Sequence, residues 1–99
     1  MSSTKISMHD LDLEQIQVVL LSSGWTGSAI PYTQTISVNG ATETNMIICS
    51  PNPEKVNMEL IGDCKVVLTK QEKGSCTFTA FDGLPSGDIT FNLLVGGEG

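Results

Sequence analysis

The sequence predicts an all-β fold: an antiparallel β-sandwich of the Greek-key, immunoglobulin-like type, with one short helical segment and an N-terminal arm. Six or seven short apolar runs, several of them alternating with polar residues, indicate strands. Turn signals separate these runs at intervals of roughly 8–12 residues, which is typical of sandwiches. The 99 residues suit a single domain with a single core, although the Cys-Trp-Cys pattern of true immunoglobulin domains is missing.

These observations divide the chain into three parts. We predict an arm over residues 1–14, a sandwich domain over residues 15–95 and a flexible tail over residues 96–99. The arm is polar, with the capping-like spacing Ser-x-x-Asp at residues 7–10, so a short helix is possible there. Its few apolar residues cannot hold a helix alone. Two interpretations stay open: a frayed terminus, or an arm that becomes ordered against a neighbouring subunit.

The first predicted strand covers the β-branched run at residues 16–21. Both of its faces are apolar, so one faces the core while the other, with Val19 and Leu21, meets the arm or another subunit. The next strand, residues 32–38, places Tyr32, Ile36 and Val38 on one face and three hydroxyl residues on the other. The turn signal Asn-Gly follows at residues 39–40.

The middle of the chain contains the one credible helical segment. An apolar strand at residues 46–49 is stopped by Ser-Pro-Asn-Pro at residues 50–53. We predict that a short helix begins at Pro53, with Asn52 as its cap, and ends at Gly62. The alternative is an irregular crossover between two sheets.

The second half contains three more predicted strands. A hairpin joins residues 65–69 to residues 76–81 around a turn that ends in Gly74. Phe81, the last residue of that hairpin, is expected at the sandwich edge or at a subunit contact. The last strand, residues 88–95, places Ile89, Phe91, Leu93 and Val95 inward and leaves Leu94 as an extra apolar residue outside the core.

Composition argues against several classes of partner. The net charge is −6, with five basic residues, all lysine, so we expect no nucleic-acid binding. No apolar run reaches the roughly 18 residues of a membrane-spanning helix, and we expect no membrane partner. The N-terminus carries no signal-peptide pattern, so we expect synthesis in the cytoplasm.

The three cysteines suggest neither a metal site nor a complete set of disulfides. Cys49, Cys64 and Cys76 include no Cys-x-x-Cys pair, and His9 is the single histidine. We predict reduced, semi-buried thiols. A disulfide between two of them stays open, because the sequence does not supply the Cα separation that a disulfide needs.

The sequence also lacks the residue patterns of catalysis. It contains no phosphate-binding glycine loop and no nucleophile elbow. The carboxylate pairs Asp10/Asp12 and Asp82/Asp88 are expected to be solvated surface groups. We therefore predict no enzyme, no cofactor and no metal.

Trp25, the only tryptophan, follows Gly24 and lies near Tyr32 in the sequence. The favoured interpretation is structural: Trp25 closes one end of the core, and Tyr32 adds area. The alternative is a platform, formed by Trp25 and Tyr32, that stacks on a sugar or a base.

Four sequence features carry a resemblance to a known class of proteins. They are the pattern Trp-x-Gly at residues 25–27, Pro-Tyr-Thr-Gln-Thr-Ile-Ser-Val-Asn-Gly at residues 31–40, Ser-Pro-Asn-Pro at residues 50–53, and Asp-Ile-Thr-Phe-Asn-Leu at residues 88–93. Together they resemble a short β-domain of head-fibre or minor structural proteins in tailed phages and prophages of Gram-positive bacteria. The resemblance covers roughly residues 18–95.

The resemblance implies a virion structural protein that decorates the capsid or belongs to head fibres. It also implies contacts with other virion proteins and a homo-oligomer, for which we expect a trimer. A tail or baseplate component and a glycan-binding module for host attachment are the alternatives. The residues that we expect to make the contacts are Ile6, Met8, Leu11, Leu13, Val19, Leu21, Phe81 and Leu94.

Overall fold

A computed structural model describes residues 4–8 and 11–96 of the chain. In these residues the fold is all-β with one helix, as the sequence predicts. The elements are β1 (Thr4–Met8), β2 (Leu11–Leu20), β3 (Tyr32–Ser37), β4 (Ile47–Pro51), α1 (Lys55–Cys64), β5 (Val66–Glu72), β6 (Ser75–Ala80) and β7 (Ile89–Gly96).

The strands form two antiparallel sheets. One has four strands in the order β1-β2-β7-β4, and the other has three in the order β3-β6-β5. Both sheets contribute side chains to a single core, in which the rings of Phe78 and Phe91 stack with centroids 5.0 Å apart. The two sheets therefore pack face to face, and the alternating pattern of β7 faces inward as predicted, with Ile89, Phe91, Leu93 and Val95 all buried.

The N-terminal residues belong to the four-stranded sheet. Strand β1 pairs with β2 from Thr4 opposite Gln15 to Met8 opposite Leu11. The short helix over residues 7–10 is therefore wrong for residues 7 and 8, because the apolar residues here recur every second position, which is the period of a strand. His9 and Asp10 lie outside the described residues. The same is true of residues 97–99, which make up most of the predicted tail. Gly96, the first residue of that tail, ends β7.

Helix α1 begins and ends later than predicted. Glu54 occupies the N-cap position without a side-chain bond, while the Asn52 Oδ1 accepts a hydrogen bond from the Glu54 backbone N–H at 3.0 Å. Gly62 lies inside the helix, so the predicted end is wrong. The chain leaves the helix at Lys65, whose φ of 54° is left-handed and whose N–H bonds to the Ile61 carbonyl.

Strand β6 ends at Ala80, one residue before the predicted boundary. The Phe81 N–H bonds to the Lys65 carbonyl at 3.2 Å, and the Phe81 side chain is exposed. The turn between β5 and β6 has Gly74 at a φ of 79°, as its position in the predicted turn requires. A bulge interrupts β5 between Leu68 and Lys70.

Side-chain amides satisfy backbone groups where a strand has no neighbour. The buried Gln34 accepts the Leu21 N–H at 3.1 Å and donates to the Leu21 carbonyl at 3.0 Å. The buried Asn57 does the same for Thr90, at 2.7 and 3.0 Å. Each amide thereby presents one acceptor and one donor to the strand, as a neighbouring residue in a sheet would.

Candidate interaction surface

The outer face of the four-stranded sheet carries several of the apolar residues that the sequence marks as excess. In β2 the even-numbered residues Ile16, Val18 and Leu20 are buried in the core, so the odd-numbered residues lie on the other side. There, Val19 is 44 % exposed, and Leu21, just after the strand, is exposed too. The predicted second apolar face of this strand is therefore present.

At the other end of this face, the register brings apolar residues from three strands together. Gln15 of β2 lies opposite Leu94 of β7, and Leu94 lies opposite Ile48 of β4. One row further along, Leu13 lies opposite Gly96, whose N–H bonds to the Met46 carbonyl at 2.7 Å. We name Leu13, Met46, Ile48 and Leu94 the outer apolar patch.

Exposure within the outer apolar patch differs from residue to residue. Met46 and Ile48 are 49 % and 45 % exposed, Leu94 is partly buried, and Leu13 is buried without belonging to the central core cluster. Gly96 allows Met46 to approach the backbone of β7 closely, because a Cβ on residue 96 would stand 3.2 Å from the Met46 carbonyl oxygen. None of the four residues carries a charge, so the patch is suited to apolar contact.

The backbone places the predicted contact residues of the arm beside this patch. Ile6 lies opposite Leu13, and Met8 lies opposite Leu11. Residues directly opposite each other in an antiparallel pair share a face of the sheet. The side chains of Ile6, Met8 and Leu11 lie outside the described part of the structure.

Not every predicted contact residue joins the patch. A polar row of Gln17, Asn92 and Ser50 separates the patch from Val19 and Leu21. Phe81 follows β6 in the three-stranded sheet, where the exposed pair Lys65–Asp82 lies at 3.4 Å. The structure therefore brings Leu13 and Leu94 together, leaves Val19 and Leu21 at the far end of the same face, and places Phe81 elsewhere.

The structure adds Met46 and Ile48, which sequence reasoning missed. Side chains point alternately to the two faces of a strand, so two of the four apolar residues 46–49 are expected to face outward. The sequence does not say that β4 neighbours β7, and only that pairing sets Ile48 beside Leu94.

Trp25 and Tyr32 lie at the periphery of the core. Both are partly buried and pack against the core cluster. The indole N–H of Trp25 is buried and has no hydrogen-bond partner among the described residues. Tyr32 lies opposite Ala80, and Gly27, at a φ of 124°, passes close enough that a Cβ would stand 3.4 Å from the Tyr32 ring. Most of the surface of each aromatic side chain is thus already covered by the chain itself.

The three cysteines are free thiols, and burial makes them weak acids. Cys64 and Cys76 are buried, and Cys49 is partly buried. Burial, assisted by the charge of a Cys76 thiolate, raises the pKa of the Cys49 thiol to about 11. Burial also raises the pKa of Cys76. It raises the pKa of Cys64 as well, where the carboxylates of Asp63 and Asp82 add to the effect. A protonated thiol is a poor nucleophile and a poor metal ligand.

Polar surface elsewhere offers little chemistry. A cleft of about 250 Å³ beside the start of α1 contains Glu54 and Asp88, but its amide Asn57 is committed to Thr90 and Asn52. Among the residues described, no three His, Cys, Asp or Glu side chains converge on a point that could hold a metal ion. In the same residues, no helix combines the length and the hydropathy needed to cross a membrane.

Comparison with protein-family models, with curated proteins and with solved structures gives no match for this chain.

Proposed function

We propose that this chain is a non-enzymatic structural protein of a phage virion, of the capsid-decoration or head-fibre type. It attaches through the outer apolar patch and the adjoining β1–β2 hairpin. Its partners are capsid or other virion proteins and further copies of itself, with a trimer as the expected oligomer. Neither nucleic acid nor a membrane is a partner.

The observation that carries the proposal is the outer apolar patch. Leu13, Ile48 and Leu94 come from β2, β4 and β7 and occupy adjoining register positions on the face turned away from the core, and Met46, just before β4, accepts the Gly96 N–H beside them. Two of them, Met46 and Ile48, are about half exposed. Covering apolar surface gains about 25 cal/mol per Å², so an exposed cluster of this kind favours attachment to another protein.

The phage assignment rests on the resemblance over residues 18–95. In the structure, its sequence features form the loop before β3, β3 itself, the end of β4 with the following turn, and β7. These are structural elements, and none presents a catalytic constellation in the described residues. A structural role fits that distribution better than an enzymatic one.

We also propose that the sandwich is a variant of the Greek-key, immunoglobulin-like arrangement. In constant-type immunoglobulin domains the strands, numbered along the chain, form sheets 1-2-5-4 and 3-6-7. Here the sheets are 1-2-7-4 and 3-6-5. The two arrangements agree in strands 1, 2, 3, 4 and 6 and differ by an exchange of strands 5 and 7.

Immunogold electron microscopy of induced phage particles, with an antibody against this chain, tests the function. We expect gold over the heads. Gold on tails or baseplates would move the protein to host attachment. Unlabelled particles with antigen in the lysate would overturn the virion proposal and favour the glycan module, for which the fluorescence of Trp25 should respond to added sugar.

A further inference from the structure

The outer edge of strand β4 is open in the part of the fold that the structure describes. Strand β4 ends the four-stranded sheet, with β7 on one side and no described strand on the other. The residues outside the description adjoin β1, β2 and β7 in the chain, and none of these strands lies along the outer edge of β4.

Two hydrogen bonds at the ends of β4 show which of its backbone groups face this edge. The carbonyl of Met46 accepts an N–H of β7 at 2.7 Å, and the N–H of Asn52 donates to a carbonyl of β7 at 3.1 Å. The direction of these groups alternates along a strand, so the even-numbered residues of β4 bond to β7. The N–H and C=O groups of Ile47 and Cys49 therefore point away from β7, where no described residue bonds to them.

Strand β4 lacks the features that protect an edge strand from pairing, whereas β5 has them. Strand β5 is an edge strand of the other sheet, and a recess of about 330 Å³ lies between it and Ile47. It carries a bulge and the exposed charges of Lys70 and Glu72, both of which discourage pairing between edges. Residues 44–53, which include all of β4, carry no charge, and Pro51 is the last residue of the strand.

The backbone groups of the β4 edge are complementary to themselves. In a twofold arrangement about Ile48, Ile47 of each copy lies opposite Cys49 of the other. Every outward N–H and C=O of these two residues then has a partner, and Pro51, which has no N–H, lies beyond the pairs. A twofold axis at Cys49 would instead place Pro51 opposite Ile47 and leave the Ile47 carbonyl without a donor.

The same register joins the outer apolar patches of the two copies. Ile48, which is 45 % exposed, lies opposite Ile48 of the second copy. This pair is of the type without hydrogen bonds between its members, in which the Cα atoms are about 4.5 Å apart and the side chains are closest. Because Leu94 lies beside Ile48 on β7, the apolar row continues across the contact. A second copy thus covers both the unpaired backbone groups and an exposed apolar side chain.

We propose that β4 pairs with β4 of a second copy of this chain, with Ile48 opposite Ile48. The two four-stranded sheets then form one continuous sheet in the order β1-β2-β7-β4-β4-β7-β2-β1. Residues opposite each other share a face, so the dimer presents both outer apolar patches on the same side. The contact is additional to attachment in the proposed function and, being twofold, does not itself produce the expected trimer.

Cross-linking of the full chain tests the register. Ile48→Cys places two thiols directly opposite each other, within the Cα separation of about 4.4–6.8 Å that a disulfide spans. With oxidised glutathione, most of this variant should become a covalent dimer. The control Ser50→Cys lies exposed on the same face of the same strand, but its two copies would be about 13 Å apart along the strand. It should cross-link at least about tenfold more slowly.

Hydrogen exchange tests the backbone contact. We expect a dissociation constant of about 0.1 mM, because one pair of short strands buries less than the about 1,200 Å² of a standard interface. Between about 10 μM and 1 mM protein, exchange at the amides of Ile47 and Cys49 should therefore slow about fourfold. Exchange at Ile48, whose N–H bonds to β7, should not change with concentration.

A pair of variants at Cys49 separates the backbone donor from the side chain. Cys49→Pro removes an outward N–H without removing a bond to β7, and should raise the dissociation constant of the dimer at least about tenfold. Cys49→Ala keeps the donor and should change it less than about threefold. Sedimentation equilibrium measures both, and the cross-linking result covers the case in which the proline variant does not fold.

Several results would overturn the proposal. They are a monomer at 1 mM protein, equal cross-linking rates for Ile48→Cys and Ser50→Cys, and exchange at Ile47 and Cys49 that does not depend on concentration. A trimer in which these two amides stay unprotected would agree with the expected oligomer and still remove the β4 contact. No phage particle is involved, so failure here leaves the proposed virion function standing, and unlabelled particles would leave the dimer standing.

Discussion

Gln34 and Asn57 show how single side chains complete the backbone hydrogen bonding of this fold. Each is buried and bonds both backbone groups of one residue, Leu21 and Thr90 respectively. Asn45 and Gln71 act similarly in the loop before β4, where the Gln71 amide donates to the carbonyls of Thr42 and Asn45 at 3.0 and 2.9 Å. Polar residues at these positions therefore contribute to the fold rather than to chemistry.

Asn57→Leu is expected to lower the free energy of unfolding by about 1–3 kcal/mol, because it leaves the partly buried Thr90 N–H without its partner, whereas the Thr90 carbonyl keeps the Asn52 N–H. Urea unfolding followed by circular dichroism measures the loss. The matched control is Glu59→Leu, an exposed position on the same helix, which should cost less than about 0.5 kcal/mol. Equal effects in both variants would contradict the role assigned to Asn57.

The cysteines predict a loss of stability at alkaline pH. The ordinary pKa of the thiol is 9.0, and in the folded chain that of Cys49 is about 11. Between these values the unfolded chain binds fewer protons than the folded chain, so the free energy of unfolding falls as the pH rises from 9 to 11. Each unit of difference corresponds to about 1.4 kcal/mol.

Urea unfolding at pH 8 and pH 10.5 measures this slope. Cys49→Ala removes the titrating group, so the variant should lose less stability over the same interval than the unchanged chain does. Parallel slopes for both chains would show that Cys49 does not contribute.

The elements matter for function through the faces that they leave uncovered. Strands β2, β4 and β7 each direct one face into the core and the other to solvent, and their pairing assembles the outer apolar patch. The helix is joined to β7 by the side chain of Asn57, which bonds both backbone groups of Thr90 and also donates to the Asn52 carbonyl.

Ile48→Asp is expected to weaken attachment to phage heads about a hundredfold, because it places a charge in an apolar contact. Ile48 is 45 % exposed, so the free energy of unfolding should change by less than about 1 kcal/mol. The control is Val67→Asp, which is 49 % exposed on the outer face of the three-stranded sheet. Co-sedimentation with purified particles measures both; equal loss in the two variants would argue against the patch.

The β1–β2 hairpin provides a second test at the level of elements. Deletion of residues 1–8 removes β1 and leaves β2 intact, whereas deletion of residues 1–14 would also remove the buried Leu13. We expect the shorter deletion to fold and to bind particles more weakly, because Ile6 adjoins the patch in the register. Unchanged binding and unchanged oligomer size, measured by sedimentation velocity, would show that the N-terminal segment is not a contact.

For the whole molecule, charge and attachment surface are separate. The chain carries a net charge of −6, while the outer apolar patch carries none. The charges of the described ion pairs are solvent-exposed: Lys70–Glu72 lies on β5, and Lys65–Asp82 lies just before β5 and just after β6.

Attachment to particles is therefore expected to depend little on salt. Between about 0.05 and 0.5 M sodium chloride, exposed charges are progressively screened and apolar contact is not. We expect the dissociation constant to change less than about threefold over this range. Co-sedimentation at each salt concentration measures it, and a loss of binding of about a hundredfold would indicate electrostatic docking instead.

The sequence by itself determined the features that depend on local periodicity. Alternation every second residue correctly predicted the all-β class, the inward face of β7 and the assignment of Tyr32 and Ile36 to the face opposite the threonines in β3. The arm has the same periodicity, but its polar composition made the strand hard to recognise. The sequence also predicted the excess of apolar residues on β2.

Only the tertiary structure decided which strands are neighbours. The outer apolar patch requires β7 to lie between β2 and β4. The bond between Asn57 and Thr90 joins residues 33 positions apart. Such contacts depend on how whole faces pack and pair, and the local pattern of a strand carries no information about its partner.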